Sequence, residues 1–476
     1  MLPSPLTILA GVIVLFFVVL VVVRGPVDAD YWWHITTGRM IVENGAVPVT
    51  DPFSFAYDGP WVAHEWLGEV IIHLLVAGAG YPLAAAIFGL ATASSILLPA
   101  YALDRGGVSL RAMVPWLAVG TYTLASYATV RPQVLSWLLL SVLIAILMGQ
   151  HAEHRYRLWA AVPLMALWAN VHGLYVVGLG VVGVYVIFTL MGRTALARRR
   201  LTALGVLVGC TIAACVTPAG PAGLLYPLRY LRQDDWGTAF IAEWQPADFA
   251  DPRQWGIAVI AIGSVLLLAR RRAPGWLLTI GFVGLGSALI AVRNAPLAVI
   301  MTMPMLAYAL EAWLPASHGT VGRRARQRRL LEMSVALVVV VAIVAILPRV
   351  ARSDAEATFP ITAFDRLEEL DSDARLFVDY DWGGYAIHRL HVHGGSVFID
   401  GRSDMYPRAI FSDYLAIRSG DPAWTSLVSE YRVEAILLPT SAPLVAVALA
   451  AGWCAELSDE RATLLVPCAG LSRVGA

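Results

Sequence analysis

Residues 6–23 read LTILAGVIVLFFVVLVVV, and residues 24–34 that follow read RGPVDADYWWH. The first stretch carries no charge and has nearly the roughly 20 apolar residues that a helix needs to cross a bilayer core of about 30 Å. It lacks a basic segment before it and a small-residue cleavage site after it, so it reads as a retained span rather than a signal peptide. Asp28 and Asp30 then stand where that helix leaves the bilayer. Carboxylates are costly to place there, so together with Tyr31, Trp32, Trp33 and His34, and with His64-Glu65-Trp66 at the far end of the same polar loop, they suggest a site at the membrane surface.

The rest of the chain extends this reading. Over 476 residues, 58% are hydrophobic and 14% charged, with a mean hydropathy of +0.68, which exceeds what a soluble core requires. Membrane-length apolar runs recur until about Leu347, after which the composition becomes that of a soluble domain. The expected architecture is an α-helical polytopic membrane protein over 1–348, with a first outer loop at 24–80, and an extracytoplasmic α/β domain over 349–476. Formal net charge is zero and every basic residue apart from histidine is arginine. No overall field attracts nucleic acid, and none is expected as a partner.

Arginine clusters set the orientation, because positive residues in short loops stay on the cytoplasmic side. They are Arg193 with Arg198 to Arg200, Arg270 to Arg272, and the group Arg323, Arg324, Arg326, Arg328 and Arg329. Working outward, spans fall near 6–23, 82–101, 112–128, 132–149, 158–169, 172–191, 201–216, 254–269, 275–292, 295–314 and 331–348. This gives about 11 transmembrane helices, with the N-terminus cytoplasmic and the C-terminal domain outside the cell membrane. The stretch 158–169 is short for a full crossing and also suits a tilted, broken or re-entrant helix.

With that topology, the unusual polar residues gather on the outer face. Arg131 lies in Val130-Arg131-Pro132-Gln133, His172 in Asn170-Val171-His172-Gly173, and Arg293 in Val292-Arg293-Asn294-Ala295-Pro296, each between two spans. An arginine near membrane depth costs at least about 2.5–3.5 kcal/mol and usually has a partner; an anionic lipid headgroup suits, as does a protein carboxylate. His172 reads equally as a helix-end hydrogen bonder. The loop 217–253 interleaves Asp234, Asp235, Glu243 and Asp248 with Tyr226, Tyr230, Trp236 and Trp244, a pattern that suits carbohydrate or a loop resting on the interface.

Within the first outer loop, Trp32, Trp33, Ile35, Met40 and Ile41, then Trp61, Trp66, Leu67, Val70, Ile71 and Leu74, predict two amphipathic interfacial helices with the tryptophans as anchors. Asn44-Gly45 and Val47-Pro48-Val49-Thr50-Asp51-Pro52 predict turns between them.

These residues resemble the GT-C superfamily of integral-membrane glycosyltransferases, in the many spans, the loop with two interfacial helices and the acidic residue after the first span. The run from Asp30-Tyr31-Trp32-Trp33-His34 through Glu43-Asn44-Gly45 is similar to the first acidic motif of oligosaccharyltransferase catalytic subunits. His64-Glu65-Trp66-Leu67, with the later runs Asp-Tyr-Asp-Trp-Gly-Gly-Tyr and Ile-Asp-Gly-Arg-Ser-Asp-Met-Tyr, resembles bacterial proteins of the protein O-mannosyltransferase and lipid A sugar-transferase type. There is no counterpart of the Trp-Trp-Asp sequon-binding motif, which speaks against asparagine-linked transfer.

The resemblance implies transfer of a sugar from a polyprenyl-phosphate donor to an acceptor hydroxyl of a glycan, lipid or protein at the outer leaflet. A hydroxyl is a poor nucleophile, so a carboxylate base is expected, worth about 10²–10⁴-fold. Asp30 matches the family position, and Asp28 would orient the acceptor or raise the pKa of Asp30. Arg131 and Arg293 would bind the donor phosphate, and His64, Glu65, His172 and Trp244 would contact substrate. No cofactor is required, but Asp30, His64 and Glu65 offer ligands to a divalent metal. Adjacent His64 and Glu65 diverge by roughly 100° on a helix, so sharing one ion needs a bend there. Asp28 and Asp30 also suit a simple helix cap near Tyr31. The rival class is a non-catalytic transporter or a lipid- or glycan-binding scaffold; transporters more often place charges at the midplane.

Beyond about 350, strands are predicted at 375–379, 397–400, 435–438 and 462–466, and helices near 383–391, 406–417, 422–431 and 442–451. Asp379, Asp381, Asp400, Arg402 and Asp404 follow the first two strands, where an α/β sheet places ligands and where a helix cap with an Arg402 ion pair fits as well. Cys454 and Cys468 flank a predicted hairpin, where an oxidising compartment would permit a disulfide, although spacing alone does not assign pairing.

Overall fold

A computed structural model describes residues 4–149, 155–192, 197–226, 241–267, 273–314, 358–370 and 373–468. Three helices open the chain: α1 (Pro5–Arg24), α2 (Ala29–Asn44) and α3 (Trp66–Arg105). Further apolar helices cover Leu110–Leu124, Pro132–Gly149, Ala161–Val171, Tyr175–Met191, Ala197–Ala213, Trp255–Leu267, Gly275–Ile290 and Ala295–Glu311. A helix thus stands at each expected span from 6–23 to 295–314. The span expected at 331–348 lies outside the described residues, as do Arg193, the arginine clusters at 270–272 and 323–329, and Tyr230, Asp234, Asp235 and Trp236. Among the described residues, α1, α3 and Pro132–Gly149 have the length and apolar composition to cross a membrane. The stretch expected at 158–169 is a 3-10 turn, Arg155–Ala160, followed by an 11-residue helix, Ala161–Val171, only about 16 Å long.

The 40-residue α3 is two helices in one. Its regular backbone breaks at Ala79 (φ −150°) and Gly80 (φ 76°), and the second of these values is one that glycine adopts without a Cβ clash. The fold divides close to this break, into one unit of Met1–Arg24 with the chain from Gly78 through the apolar helices, and a second of Gly25–Ala77 with the described residues from 358 onward.

In the first unit, α1 lies close against the second half of α3. A β-carbon at Gly89 would sit 2.7 Å from the Phe17 carbonyl oxygen, so a small residue at this crossing lets the backbones approach. Arg24 donates to the carbonyls of Ala125 and Ala128 just beyond Leu110–Leu124, matching acceptors that the helix end leaves free. Outward-facing Met191, Val265, Leu266 and Ile290 are 65–73% exposed, an arrangement that suits hydrocarbon and not water.

In the second unit, a five-stranded sheet has the order β2-β1-β3-β5-β4, built from β1 (Arg375–Val378), β2 (Ser396–Val397), β3 (Ala435–Pro439), β4 (Trp453–Ser458) and β5 (Ala462–Pro467). β1 is parallel to β2 and β3, whereas β5 is antiparallel to β3 and β4. β2 is shorter than expected because the chain turns into Asp400 and Arg402 after Val397. The loop completes the sheet's edge: Val397 N donates to the Phe53 carbonyl and Phe55 N donates to the Val397 carbonyl, both at 3.0 Å. Cys454 and Cys468 form a disulfide across the final hairpin.

The two expected loop helices are present as α2 and the start of α3, but their faces differ from the expectation. Trp33 and Trp61 are not interfacial anchors: they are buried in the core of this unit with Phe53, Trp382, Tyr385 and Phe398. α2 starts at Asp28, whose carboxylate accepts from Asp30 N, and ends at Gly45, whose φ of 63° forms the expected turn.

His388, on the helix Gly383–Leu390, rests against the Trp32 ring and bonds Thr36 Oγ1 at 3.0 Å. The Thr36 hydroxyl donates to the Trp32 carbonyl, which leaves His388 Nδ1 as the donor. Burial, then the charges of Arg39 and Arg389, lower the His388 pKa from 6.5 to about 4. A group depressed on folding favours its neutral form, so this stability is complete above pH 6.5 and is lost as pH falls from 6.5 toward 4. Thermal unfolding in detergent across that window should show the drop, on the order of 2–3 kcal/mol, and His388→Gln should flatten it relative to wild type.

Candidate functional site

Within the second unit, two acidic residues at the start of α2 have different jobs. Asp28 is the N-cap, as its spacing allowed. Asp30 lies on the first turn, part-exposed, with Trp33 Nε1 donating to Oδ1 at 3.2 Å. Gly401 is the reason it fits there, since a β-carbon on Gly401 would fall 2.1 Å from Asp30 Oδ1. Tyr380 donates to the Gly401 carbonyl at 3.4 Å; burial, then the negative charges of Asp30 and Asp400, raise its hydroxyl pKa well above the ordinary range. Gly384 gives α2 similar room, because a β-carbon there would meet the Ala29 carbonyl oxygen at 2.2 Å. The runs 379–385 and 399–406 therefore form the wall against which the first acidic motif is set.

Next to it lies a buried ion cluster. Arg402 Nε and Nη2 bond the two carboxylate oxygens of Asp400 at 2.7 and 2.6 Å, and Nη1 bonds Asp51 Oδ1 at 2.7 Å. The Tyr406 hydroxyl donates to Asp400, and the guanidinium lies over the rings of Phe53 and Trp61 at 4.8 and 4.7 Å. The Arg402 and Asp51 side chains are 1% and 0% exposed. Asp379 caps the turn Tyr380–Trp382 and pairs with Arg418, so the cap-and-ion-pair reading holds for the residues after β1 and β2.

His64 and Glu65 belong to a third cluster. His64 Nε2 is 3.4 Å from Glu65, and Nδ1 is 3.9 Å from Asp404. Burial lowers the His64 pKa, but the hydrogen bond and charge of Glu65 and the charge of Asp404 outweigh it and bring it to about 9. Glu65 also faces His34 Nε2 at 3.7 Å, and Glu69 faces His34 Nδ1 at 3.5 Å. Burial raises the Glu69 pKa well above the carboxylate range. Among the described residues, the His, Cys, Asp and Glu side chains grouped closely enough to share an ion are His34, Glu65 and Glu69. Of the expected metal ligands, Glu65 is in this group and Asp30 and His64 are not. His64 and Glu65 stand in the turn before α3 and their side chains meet, whereas Glu65 and Glu69, one turn apart, share a face.

Within the first unit, three of the expected residues meet. Arg131, preceding Pro132–Gly149, donates to Glu243 Oε1 at 3.2 Å, and Arg293 lies 4.2 Å over the Trp244 ring. The charge of Arg131 lowers the Glu243 pKa, with Arg293 adding to it against burial. The loop is drawn in by its backbone, with Val292 N donating to the Gln245 carbonyl at 2.9 Å. His172 is apart from this group: its Nδ1 accepts from Leu174 N at 3.1 Å and turns the chain between two helices. Glu243 was visible in the sequence only as one of several loop acids, because a partner 112 residues away leaves no local signal.

This arrangement of apolar helices, a loop of two helices after the first span and a C-terminal sheet domain is the GT-C fold. No protein-family model and no curated protein matches the chain, and the fold is recognised through solved structures. The archaeal oligosaccharyltransferase AglB from Archaeoglobus fulgidus, in complex with an inhibitory peptide and a dolichol-phosphate, superposes with a TM-score of 0.61 at 12% identity, over 91% of this chain and 69% of that one. The oligosaccharyltransferase of that organism complexed with Zn and sulfate gives 0.52 at 14%, over 92% and 68%. ArnT from Cupriavidus metallidurans in the apo state gives 0.53 at 16%, over 98% of both chains, and the arabinofuranosyltransferase AftD from Mycobacteria 0.53 at 14%, over 97% and 39%.

Removing one partner of the Arg402 cluster strands a buried charge, which costs about 3–5 kcal/mol. Arg402→Lys should be nearly as damaging as Arg402→Met, because an ammonium reproduces neither the two-pronged bond to Asp400 nor the stacking on Phe53 and Trp61. Thermal unfolding of purified protein reads this out; a Lys variant as stable as wild type would disprove the role given to the fork.

Proposed function

We propose that this chain is an integral-membrane glycosyltransferase that moves a sugar from a polyprenyl-phosphate donor to an acceptor hydroxyl at the outer leaflet. The observation that carries the reading is Asp30: a part-exposed carboxylate on the first turn after α1, set by Trp33 and Gly401, in a fold shared with glycosyltransferases. Asp30 takes the hydroxyl proton, the acceptor oxygen bonds to the anomeric carbon, and the sugar–phosphate bond breaks with its electron pair leaving on polyprenyl phosphate. Asp28 holds the start of α2 and thereby positions Asp30.

Arg131 and Arg293 receive the leaving phosphate. In their present arrangement Glu243 supplies the negative charge, and a donor phosphate would take that carboxylate's place, with Trp244 stacking beside it. A dolichol-phosphate in the oligosaccharyltransferase complex supports a lipid phosphate as the donor's carrier. His64, Glu65 and His172 are assigned to substrate contact, and the acceptor is a glycan, lipid or protein. A divalent ion fits at His34, Glu65 and Glu69, where it would supply positive charge beside α2. The N-terminus is placed in the cytoplasm and the C-terminal domain outside, which the Cys454–Cys468 disulfide supports because such bonds persist in oxidising compartments.

Purified protein incubated with a panel of polyprenyl-phosphate sugars should release polyprenyl phosphate from one of them. Asp30→Asn should lose about 10²–10⁴-fold in turnover, and Arg131→Ala about 10²–10³-fold. Gly401→Ala should keep the fold and lose turnover too, since its new methyl displaces the Asp30 carboxylate and no backbone. If wild type neither binds nor cleaves any donor, the transporter or scaffold reading replaces this one.

A further inference from the structure

One end of the apolar bundle carries charge that the transfer reaction does not use. Between 150 and 216 the sequence holds Arg155, Arg157, Arg193, Arg198, Arg199 and Arg200 against a single acid, Glu153. Trp159, in the turn Arg155–Ala160, lies against Gly205 of the helix Ala197–Ala213, where a β-carbon would fall 3.2 Å from its ring. Three residues on, Val162 meets Gly209 of the same helix. The contacts advance together, 159 with 205 and then 162 with 209, so Ala161–Val171 and Ala197–Ala213 run parallel and begin at the same end of the bundle. Arg157 and the run Arg198 to Arg200 both stand at that end. Taken alone, the placement is unfavourable: the first turn of Ala197–Ala213 holds three arginines and no acid, at the positive end of the helix dipole. Arg200 turns inward and donates Nη2 to the Gly192 carbonyl at 2.9 Å, while its Nε is covered and meets no acceptor among the described residues. Arg157, Arg198 and Arg199 are exposed.

We infer that this end is a docking surface for an anionic phospholipid, of the phosphatidylglycerol kind, whose headgroup meets the arginines and whose acyl chain lies along the outward face of Ala197–Ala213. Guanidinium groups bond phosphodiester oxygens in pairs, and the sequence supplies almost no carboxylate nearby to compete for them. Two observations pick a lipid over a soluble anion or an acidic protein. Directly after the arginines comes an exposed apolar stripe, Leu201, Leu204, Val208 and Ile212, spaced as one helix face. It is about 16 Å long, half of a bilayer core of about 30 Å and so the depth of one leaflet. Trp159 stands exposed between the two arginine groups and the hydrocarbon, against Gly205, at the level where an indole ring prefers to sit. Positive residues in short loops stay inside, so the lipid belongs to the cytoplasmic leaflet. Its phosphate offsets the like charges crowded into the first turn, so the bound lipid stabilises the fold. The surface uses none of the residues assigned to sugar transfer and stands whether or not that reading holds.

The test is thermal unfolding of the full-length protein in nonionic detergent, titrated with dioleoylphosphatidylglycerol, dioleoylphosphatidylcholine or inorganic phosphate. Wild type should gain several degrees of melting temperature with phosphatidylglycerol, saturably, and little with the other two. The double variant Arg198→Gln/Arg199→Gln should melt no lower than wild type without lipid, because it relieves the helix dipole, yet lose the response to phosphatidylglycerol. Arg408→Gln/Arg432→Gln, which removes two exposed arginines of the sheet domain, should keep it. If the first double variant does not fold, native mass spectrometry of wild type decides, by showing one phosphatidylglycerol per chain retained where phosphatidylcholine is lost, or no such difference. Equal stabilisation by phosphatidylcholine would mean that only the hydrocarbon matters, and equal stabilisation by phosphate would mean a plain anion site; either overturns the proposal. So does a phosphatidylglycerol response that survives Arg198→Gln/Arg199→Gln, or one that Arg408→Gln/Arg432→Gln abolishes as well.

Discussion

A guanidinium with no access to water must be matched where it sits, and Arg402 is matched from two parts of the chain. Asp400 is two residues away, but Asp51 is 351 residues away, in the loop after α1. Bringing these charges out of water is costly, and they recover that cost only when loop and sheet are assembled with all partners in register. The cluster therefore makes the first loop part of the C-terminal domain's core. Phe53 and Trp61 cover the guanidinium with their rings, and Phe53 and Phe55 bond Val397 along the sheet edge.

Several features follow from that assembly. Glycines at 38, 384 and 401 each stand where a β-carbon would collide, at Glu69, Ala29 and Asp30 in turn. They are contact points between segments distant in sequence, and they explain why the glycine-containing runs near 380 and 400 accompany an acidic motif near 30. The Asp-Tyr-Asp-Trp-Gly-Gly-Tyr run caps a turn with its first residue, sets its fifth against Ile399 and Asp400, and sets its sixth against α2.

Local patterns in the sequence were therefore good guides to what local forces decide. Apolar length located the helices from α1 to Ala295–Glu311, alternation and turn residues located β1, β3 and β5, and the Asn44-Gly45 turn closes α2 as read. What eluded reading was set by distant partners. Trp33 and Trp61 have the composition of interfacial anchors but are covered by the sheet domain, an outcome that hydrophobic periodicity cannot separate from membrane contact. The metal set read from the sequence was Asp30, His64 and Glu65, whereas the described side chains that come close enough to share an ion are His34, Glu65 and Glu69, the last two at a four-residue spacing. Glu243 gained significance only when it was seen facing Arg131.

Four carboxylates of the second unit illustrate how environment divides labour among identical groups. Asp51 and Asp400 both bond Arg402 and also accept from Phe53 N, Ser54 N and the Tyr406 hydroxyl, so their charge serves assembly. Glu69 is buried and accepts no hydrogen bond among the described residues, with the His34 imidazole 3.5 Å away as its nearest charged partner. Asp30 is intermediate: one indole donor orients it, a glycine leaves it room, and part of it stays exposed at the end of a membrane helix. A base must be held in place without having its lone pairs used up, and must be reachable by the group whose proton it takes. Asp30, part-exposed and held by the Trp33 indole, is the carboxylate to which the proposed base role is assigned, whereas the buried carboxylates at Arg402 serve the scaffold.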